Sequence, residues 1–189
     1  MRRALTTACL TLVALAGAHG ATAASDVVVS DGKDTAGKLD LVRASVGRGP
    51  DGRVRAVVTM DSAWDGSDLV AGSGPPGSVC LRLWTAHQPK EGNPDFLVCV
   101  TARKDGKLSA AVLHARGDDF PKRAGNATVA RPSARSVVIR FAQSAIGRPA
   151  SLRFAVESTR AGCARTTCVD TAPNAPSTRR LVLRRSSHH

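Results

Sequence analysis

The stretch SDGKDTAGKLDL, which begins at Ser30, carries the side chains best suited to hold a metal ion. Asp31, Asp34 and Asp40 place three carboxylates within ten residues, and two glycines between them permit tight turns. Calcium takes about six to eight oxygen ligands, often from one loop. The spacing does not fit the EF-hand pattern D-x-[DN]-x-[DN]-G. The stretch therefore predicts a calcium site, and simple turn formation by aspartate is the alternative.

Four cysteines lie beyond residue 24, and an even number predicts disulfide bonds in an exported chain. Of the three possible pairings we favour Cys80 with Cys99 and Cys163 with Cys168. The first two lie in the strand-like runs CLRLWT and FLVCVTA, and the second two close a short loop. Spacings of eighteen and four intervening residues, without a matching histidine pair, argue against structural zinc. The absence of C-x-x-C argues against a redox motif.

Trp64 and Trp84 are the candidate ligand-binding residues, because exposed aromatic rings hold sugars in carbohydrate-binding sandwiches. Filling the core is their alternative role, since the chain has only six aromatic residues. His87 and His114 are available for a dispersed Ser-His-Asp site, but no G-x-S-x-G motif accompanies them. GSGPPG matches G-x-G-x-x-G in letters, yet its two prolines forbid the helix that a dinucleotide fingerprint opens. We predict no catalytic residue and no enzyme.

The positive net charge of the chain predicts an anionic partner. The chain has 27 Lys and Arg against 15 Asp and Glu, a formal net charge of +12. This excess predicts adhesion to a phosphate-rich cell-wall polymer or an acidic polysaccharide, with a merely solvated arginine surface as the alternative. The arginines are spread along the chain without an aromatic-basic stripe, so specific nucleic-acid binding is not expected.

Residues 1–24 have the layout of a secretory signal peptide. Two arginines precede a mostly apolar run, and Ala-Thr-Ala forms a cleavage signal that ends at Ala23. The run is shorter than the roughly 18 to 20 residues of a membrane-spanning helix. We expect a secreted, extracellular protein without a membrane span, one domain over residues 25–185 and a disordered tail over residues 186–189.

Short strand-like runs between turn signals dominate the remaining chain. The cleanest hairpins are FLVCVTARKDGKLSAAVLHA and KLDLVRASVGRGPDGRVRAVVTMDSAW, each with an Asp-Gly turn. SVVIRFA, SLRFAVE and RRLVLRR alternate apolar and polar residues, and QSAIG reads as one helical turn. The pattern predicts an all-β protein, a single antiparallel β-sandwich of immunoglobulin-like or jelly-roll-like type with about nine strands.

Two stretches carry a family resemblance: DTAGKLDL over residues 34–41, and CARTTCVDTAPN over residues 163–174. With them, the chain resembles small secreted β-sandwich proteins of actinobacteria and is distantly similar to sandwich modules of the DOMON and carbohydrate-binding type. The resemblance implies export and a sandwich fold. The larger class binds sugars, haem or calcium, and the absence of Tyr with only two Met weakens sugar and haem binding here.

The sequence predicts a secreted, non-enzymatic binding module, calcium-stabilised and associated with cell-wall or extracellular polysaccharide. The alternative is that the chain is an interaction scaffold or protease inhibitor whose partner is another extracellular protein. It would present AHQPKEGNPD or AGSGPPG to that partner as a loop. A hydrolase with a dispersed site is the third hypothesis.

Overall fold

The computed structural model describes residues 26–85, 93–116 and 119–183. This part of the chain is all-β, with eleven strands and three short 3-10 helices. The strands are β1 (Val27–Ser30), β2 (Leu41–Arg48), β3 (Val54–Met60), β4 (Ser78–Trp84), β5 (Phe96–Ala102), β6 (Leu108–Arg116), β7 (Asp119–Ala130), β8 (Ser136–Phe141), β9 (Ser151–Thr159), β10 (Val169–Ala172) and β11 (Arg179–Val182). The 3-10 helices span Gly66–Leu69, Gln143–Ile146 and Thr166–Cys168. Among these residues no helix is both long and apolar enough to cross a membrane.

All strand pairings are antiparallel, and they form one continuous sheet in the order β1-β2-β3-β8-β7-β6-β5-β4-β9-β10. Strand β11 pairs with β9 as well, beyond the end of β10. The two ends of the sheet meet, because the Leu41 N–H donates to Asp170 and the Ser158 hydroxyl donates to the Leu39 carbonyl. The sheet therefore curls back on itself and nearly closes.

The core fills the inside of this curled sheet. Every second residue of β3 is fully buried, from Val54 to Met60, as expected for strands with one face on a core. Phe141 from β8 and Phe154 from β9 are the largest fully buried side chains. Few aromatic residues are needed, because branched aliphatic side chains from nearly every strand occupy most of this interior.

The predicted all-β antiparallel fold is confirmed, and both predicted hairpins form, as β2–β3 and β5–β6. The structure corrects the strand number, because β7 and β10 join the nine runs recognised in the sequence. Both predicted disulfides are present, and Cys80 lies directly opposite Cys99 in the β4–β5 ladder. Residues 1–24, His87 and the tail over residues 186–189 lie outside the described residues.

Two valines test whether the curled interior supplies the stability. Val58→Ala removes a fully buried side chain, so the unfolding free energy should fall by about 2 kcal/mol. Val182→Ala is the matched control, since 53% of Val182 is exposed. This substitution should change the unfolding free energy by less than about 0.5 kcal/mol. Urea unfolding of both variants measures the difference. Equal losses would contradict the assignment of the core.

Candidate functional site

The first candidate site is an acidic cluster where the ends of the sheet meet. Asp31 follows β1, Asp34 lies in the loop between β1 and β2, and Asp170 lies within β10. One carboxylate oxygen of each lies within 4.8 Å of one from each of the others. None of the ion pairs found within the described residues involves these three aspartates. The cluster thus presents converging oxygen atoms without a compensating cation from the protein.

Asp40 lies in the same loop and is only 1% exposed. One of its oxygens, Oδ1, accepts from the Thr35 N–H at 2.9 Å, whereas its Oδ2 is buried without a hydrogen-bond partner. Oδ2 of Asp31 is a second buried oxygen without a partner. Buried polar atoms normally have partners, and either a protonated neighbouring carboxyl or a cation would satisfy these two oxygens.

The cluster is held by contacts from distant parts of the chain. Asp170 Oδ2 accepts from the Leu41 N–H at 2.6 Å, and Asn174 Nδ2 donates to Asp34 Oδ2 at 3.2 Å. Arg160 donates to the carbonyl of Ala36 at 3.0 Å and so fixes the middle of the loop. These contacts orient the carboxylates before any ion binds, which lowers the cost of binding.

Burial and mutual repulsion make the cluster unfavourable when fully ionised. Burial and the charge of Asp170 raise the pKa of Asp31 to about 6. Burial also raises the pKa of Asp170, with further contributions from the charges of Asp34 and Asp40. At an effective dielectric constant of about 20, two charges at this separation repel by on the order of 3 kcal/mol. A shared proton or a bound cation would relieve this repulsion.

The sequence prediction and the structure overlap in part. Asp31 and Asp34 do come together, while Asp40 lies behind them and is absent from the closest group. Asp170 is the member that sequence reasoning missed, because it lies 136 positions from Asp34 and comes near it where β10 meets the start of β2. Its position within CARTTCVDTAPN, one of the two stretches that carry the resemblance, was the only available signal.

The two tryptophans occupy different environments, and neither is exposed. Trp64 is 2% exposed, its ring lies 4.7 Å from the Arg131 guanidinium, and its carbonyl accepts from the same arginine. Trp84 is 8% exposed and faces away from the core, on the outer side of β4. The Arg82 guanidinium lies 5.5 Å from its ring centroid. Trp64 thus acts in packing, whereas Trp84 lines an outer cavity.

His114, the described candidate for a hydrolase site, packs its ring edge against Phe96 with a centroid distance of 5.0 Å. Its Nδ1 is buried and has no hydrogen-bond partner among the described residues. No carboxylate orients this ring in the part of the chain that the structure describes, so the geometry offers no support for a triad there. The predicted AGSGPPG loop packs Gly74 against Gly162, and most of AHQPKEGNPD lies outside the described residues.

Comparisons with known proteins returned no relative: no family model, no curated protein and no solved structure matches this chain. The resemblance to secreted sandwich modules therefore remains a prediction.

The raised pKa of Asp31 predicts a pH-dependent stability in the presence of a chelator. A carboxyl group with a raised folded-state pKa stabilises the fold fully below about pH 4, and this contribution is lost as the pH rises through about 6. Asp31→Asn keeps a side-chain oxygen but cannot ionise. At about pH 8 its melting temperature should therefore be higher than that of the unmodified protein. At about pH 4 the two melting temperatures should be equal.

Asp105→Asn is the matched control, because Asp105 is an exposed turn residue. As an exposed surface change, it should move the melting temperature by less than about 2 °C at either pH. An Asp31→Asn difference that is constant across the same pH range would contradict the assignment.

Proposed function

We propose that this chain is a secreted, non-enzymatic binding module that is stabilised by calcium and associates with cell-wall or extracellular polysaccharide. The observation that carries the calcium assignment is the convergence of Asp31, Asp34 and Asp170 beside the buried, unpartnered Oδ2 of Asp40. The N-terminal signal layout and the two disulfides support secretion.

The donor set fits calcium. The cluster offers only carboxylate oxygens, which are hard ligands, and no histidine or cysteine belongs to it. Calcium tolerates irregular arrangements of about six to eight oxygens, so three or four aspartates, backbone carbonyls and water suffice. Magnesium demands a near-ideal octahedron and keeps more of its water, which suits a cluster joined from distant segments less well.

The role of the ion would be structural. Asp31 and Asp34 belong to the first loop of the domain and Asp170 to its tenth strand, so an ion among them would link both ends of the sheet. Such a link binds the folded state and has no equivalent in the unfolded chain, and it therefore adds directly to the free energy of unfolding. Calcium would also offset the burial and the repulsion by Asp170 that together raise the pKa of Asp31.

Calcium should raise the melting temperature of the mature protein by about 5–10 °C over the value in EDTA, at fixed salt and near-neutral pH. A ligand at about 100 times its dissociation constant adds about 2.7 kcal/mol, and each kcal/mol shifts the midpoint of a domain this size by about 2–4 °C. Asp170→Asn retains an oxygen to accept from Leu41 and should abolish the shift, as should Asp34→Ala and Asp40→Ala.

Asp105→Asn should keep the full calcium shift, because this side chain lies in the turn between β5 and β6. Magnesium at the same concentration should produce a smaller shift. The proposal fails if calcium produces no shift, or if the Asp170→Asn and Asp105→Asn variants shift equally.

A further inference from the structure

A groove runs across the outer face of the sheet, on the side opposite the core. In the strand register Arg82 lies opposite Ala155 and Trp84 opposite Arg153, so these four side chains share one face. Together with the loop over residues 173–178 they border a cavity of about 360 Å³. This volume falls within the range of about 300–1,000 Å³ typical of ligand pockets.

The loop over residues 173–178 forms one wall because of an unusual pairing. Strand β10 pairs with one end of β9, and β11 pairs with the other end of β9 along the same edge. The chain must therefore leave the ladder between them, and it does so opposite Ala155. Pro173 and Pro176 present their apolar rings to the cavity from this loop.

A second cavity, of about 280 Å³, lies on the same face next to the first. Arg82 borders both and forms an ion pair, at 3.2 Å, with Glu157, which borders the second. Pro94 and Pro121 line the far side. Neighbouring strands lie about 4.8 Å apart, so a groove that crosses β9, β4 and β5 extends over at least about 10 Å. That length suits a segment of a polymer better than a single small molecule.

The charge on this face favours an anion. Arg153 is exposed and borders the first cavity, and Arg180 lies opposite it in the β9–β11 ladder. Within the described residues neither arginine forms an ion pair. Glu157 is the acidic residue that borders the second cavity, and it already bonds to Arg82. The chain as a whole carries a net charge of +12.

We infer that this groove binds an acidic polysaccharide whose sugar rings carry carboxylates. The rings of Pro173 and Pro176 offer apolar surface to the faces of sugar rings, to which Trp84, only 8% exposed, adds little. A guanidinium matches a carboxylate in a planar, two-point contact. The Arg82–Glu157 pair supplies both donors and acceptors for hydroxyl groups. A phosphate-rich polymer would satisfy the arginines but would leave the apolar walls unmatched. This inference rests on the proposed binding role and is independent of calcium.

Titration calorimetry with oligogalacturonates of increasing length tests the inference at fixed, physiological salt. Longer oligomers should bind more tightly than a single galacturonate, because they reach the second cavity. Neutral malto-oligosaccharides of matched length should bind at least about tenfold more weakly, since a charged hydrogen bond is worth about 1.5–3 kcal/mol. Tighter binding of polyphosphate than of oligogalacturonate, or equal binding of the neutral sugars, would overturn it.

Arg153→Gln should weaken oligogalacturonate binding by about tenfold or more. Arg153→Lys keeps the charge but loses the planar fork, so its affinity should lie between those of the unmodified protein and Arg153→Gln. Arg43→Gln is the matched control, since Arg43 is exposed on β2 and borders neither cavity. It should weaken binding by about fivefold or less. Equal losses for Arg153→Gln and Arg43→Gln would show only general electrostatic attraction and overturn the site.

The same variants separate this inference from the calcium proposal. Arg153→Gln should keep the full calcium-induced melting shift. If calcium produces no shift while oligogalacturonate binding depends on Arg153, the calcium proposal fails and the groove stands. If calcium stabilises the protein while no oligogalacturonate binds, the groove fails and the calcium proposal stands.

Discussion

The hydrogen bond from the Leu41 N–H to the Asp170 carboxylate holds the two ends of the sheet together. It is buried, 2.6 Å long, and joins residues 129 positions apart. A hydrogen bond to a charged group stabilises by about 1.5–3 kcal/mol, and the neighbouring bond from Ser158 to Leu39 reinforces it. Together the two bonds join β10 and β9 to the chain at the start of β2 and cover that edge of the sheet. The Leu41 N–H needs a buried oxygen acceptor here, and the carboxylate that supplies it is also part of the acidic cluster.

The loop over residues 173–178 contacts both candidate sites, the acidic cluster and the outer groove. Asn174 donates to Asp34 in the acidic cluster, while Pro173 and Pro176 from the same loop line the outer groove. This loop exists because β10 and β11 share one edge of β9.

Local patterns in the sequence were sufficient to predict the local features of the fold. The Asp51-Gly52 and Asp105-Gly106 turns form as expected, with a positive φ at each glycine. Strand β7 was missed because DFPKRAGNATVA contains proline, glycine and asparagine, which strands disfavour. β10 was missed because four residues show too little alternation. Asp170 and the groove depend on which distant strands pair, and local periodicity does not specify that.

The aspartates fall into two groups, which are exposed turn formers and buried carboxylates in or beside the acidic cluster. Asp51, Asp65 and Asp105 are the turn formers, and each accepts from a backbone N–H two residues further on at an exposed position. Asp170 is 4% exposed and bonds across the fold, and Asp40 is 1% exposed with an unpartnered oxygen. A turn needs no buried carboxylate, and burying a charge is costly unless a proton or a cation compensates it. The pKa of Asp31, raised to about 6, reflects this cost, which either a retained proton or a bound cation would offset.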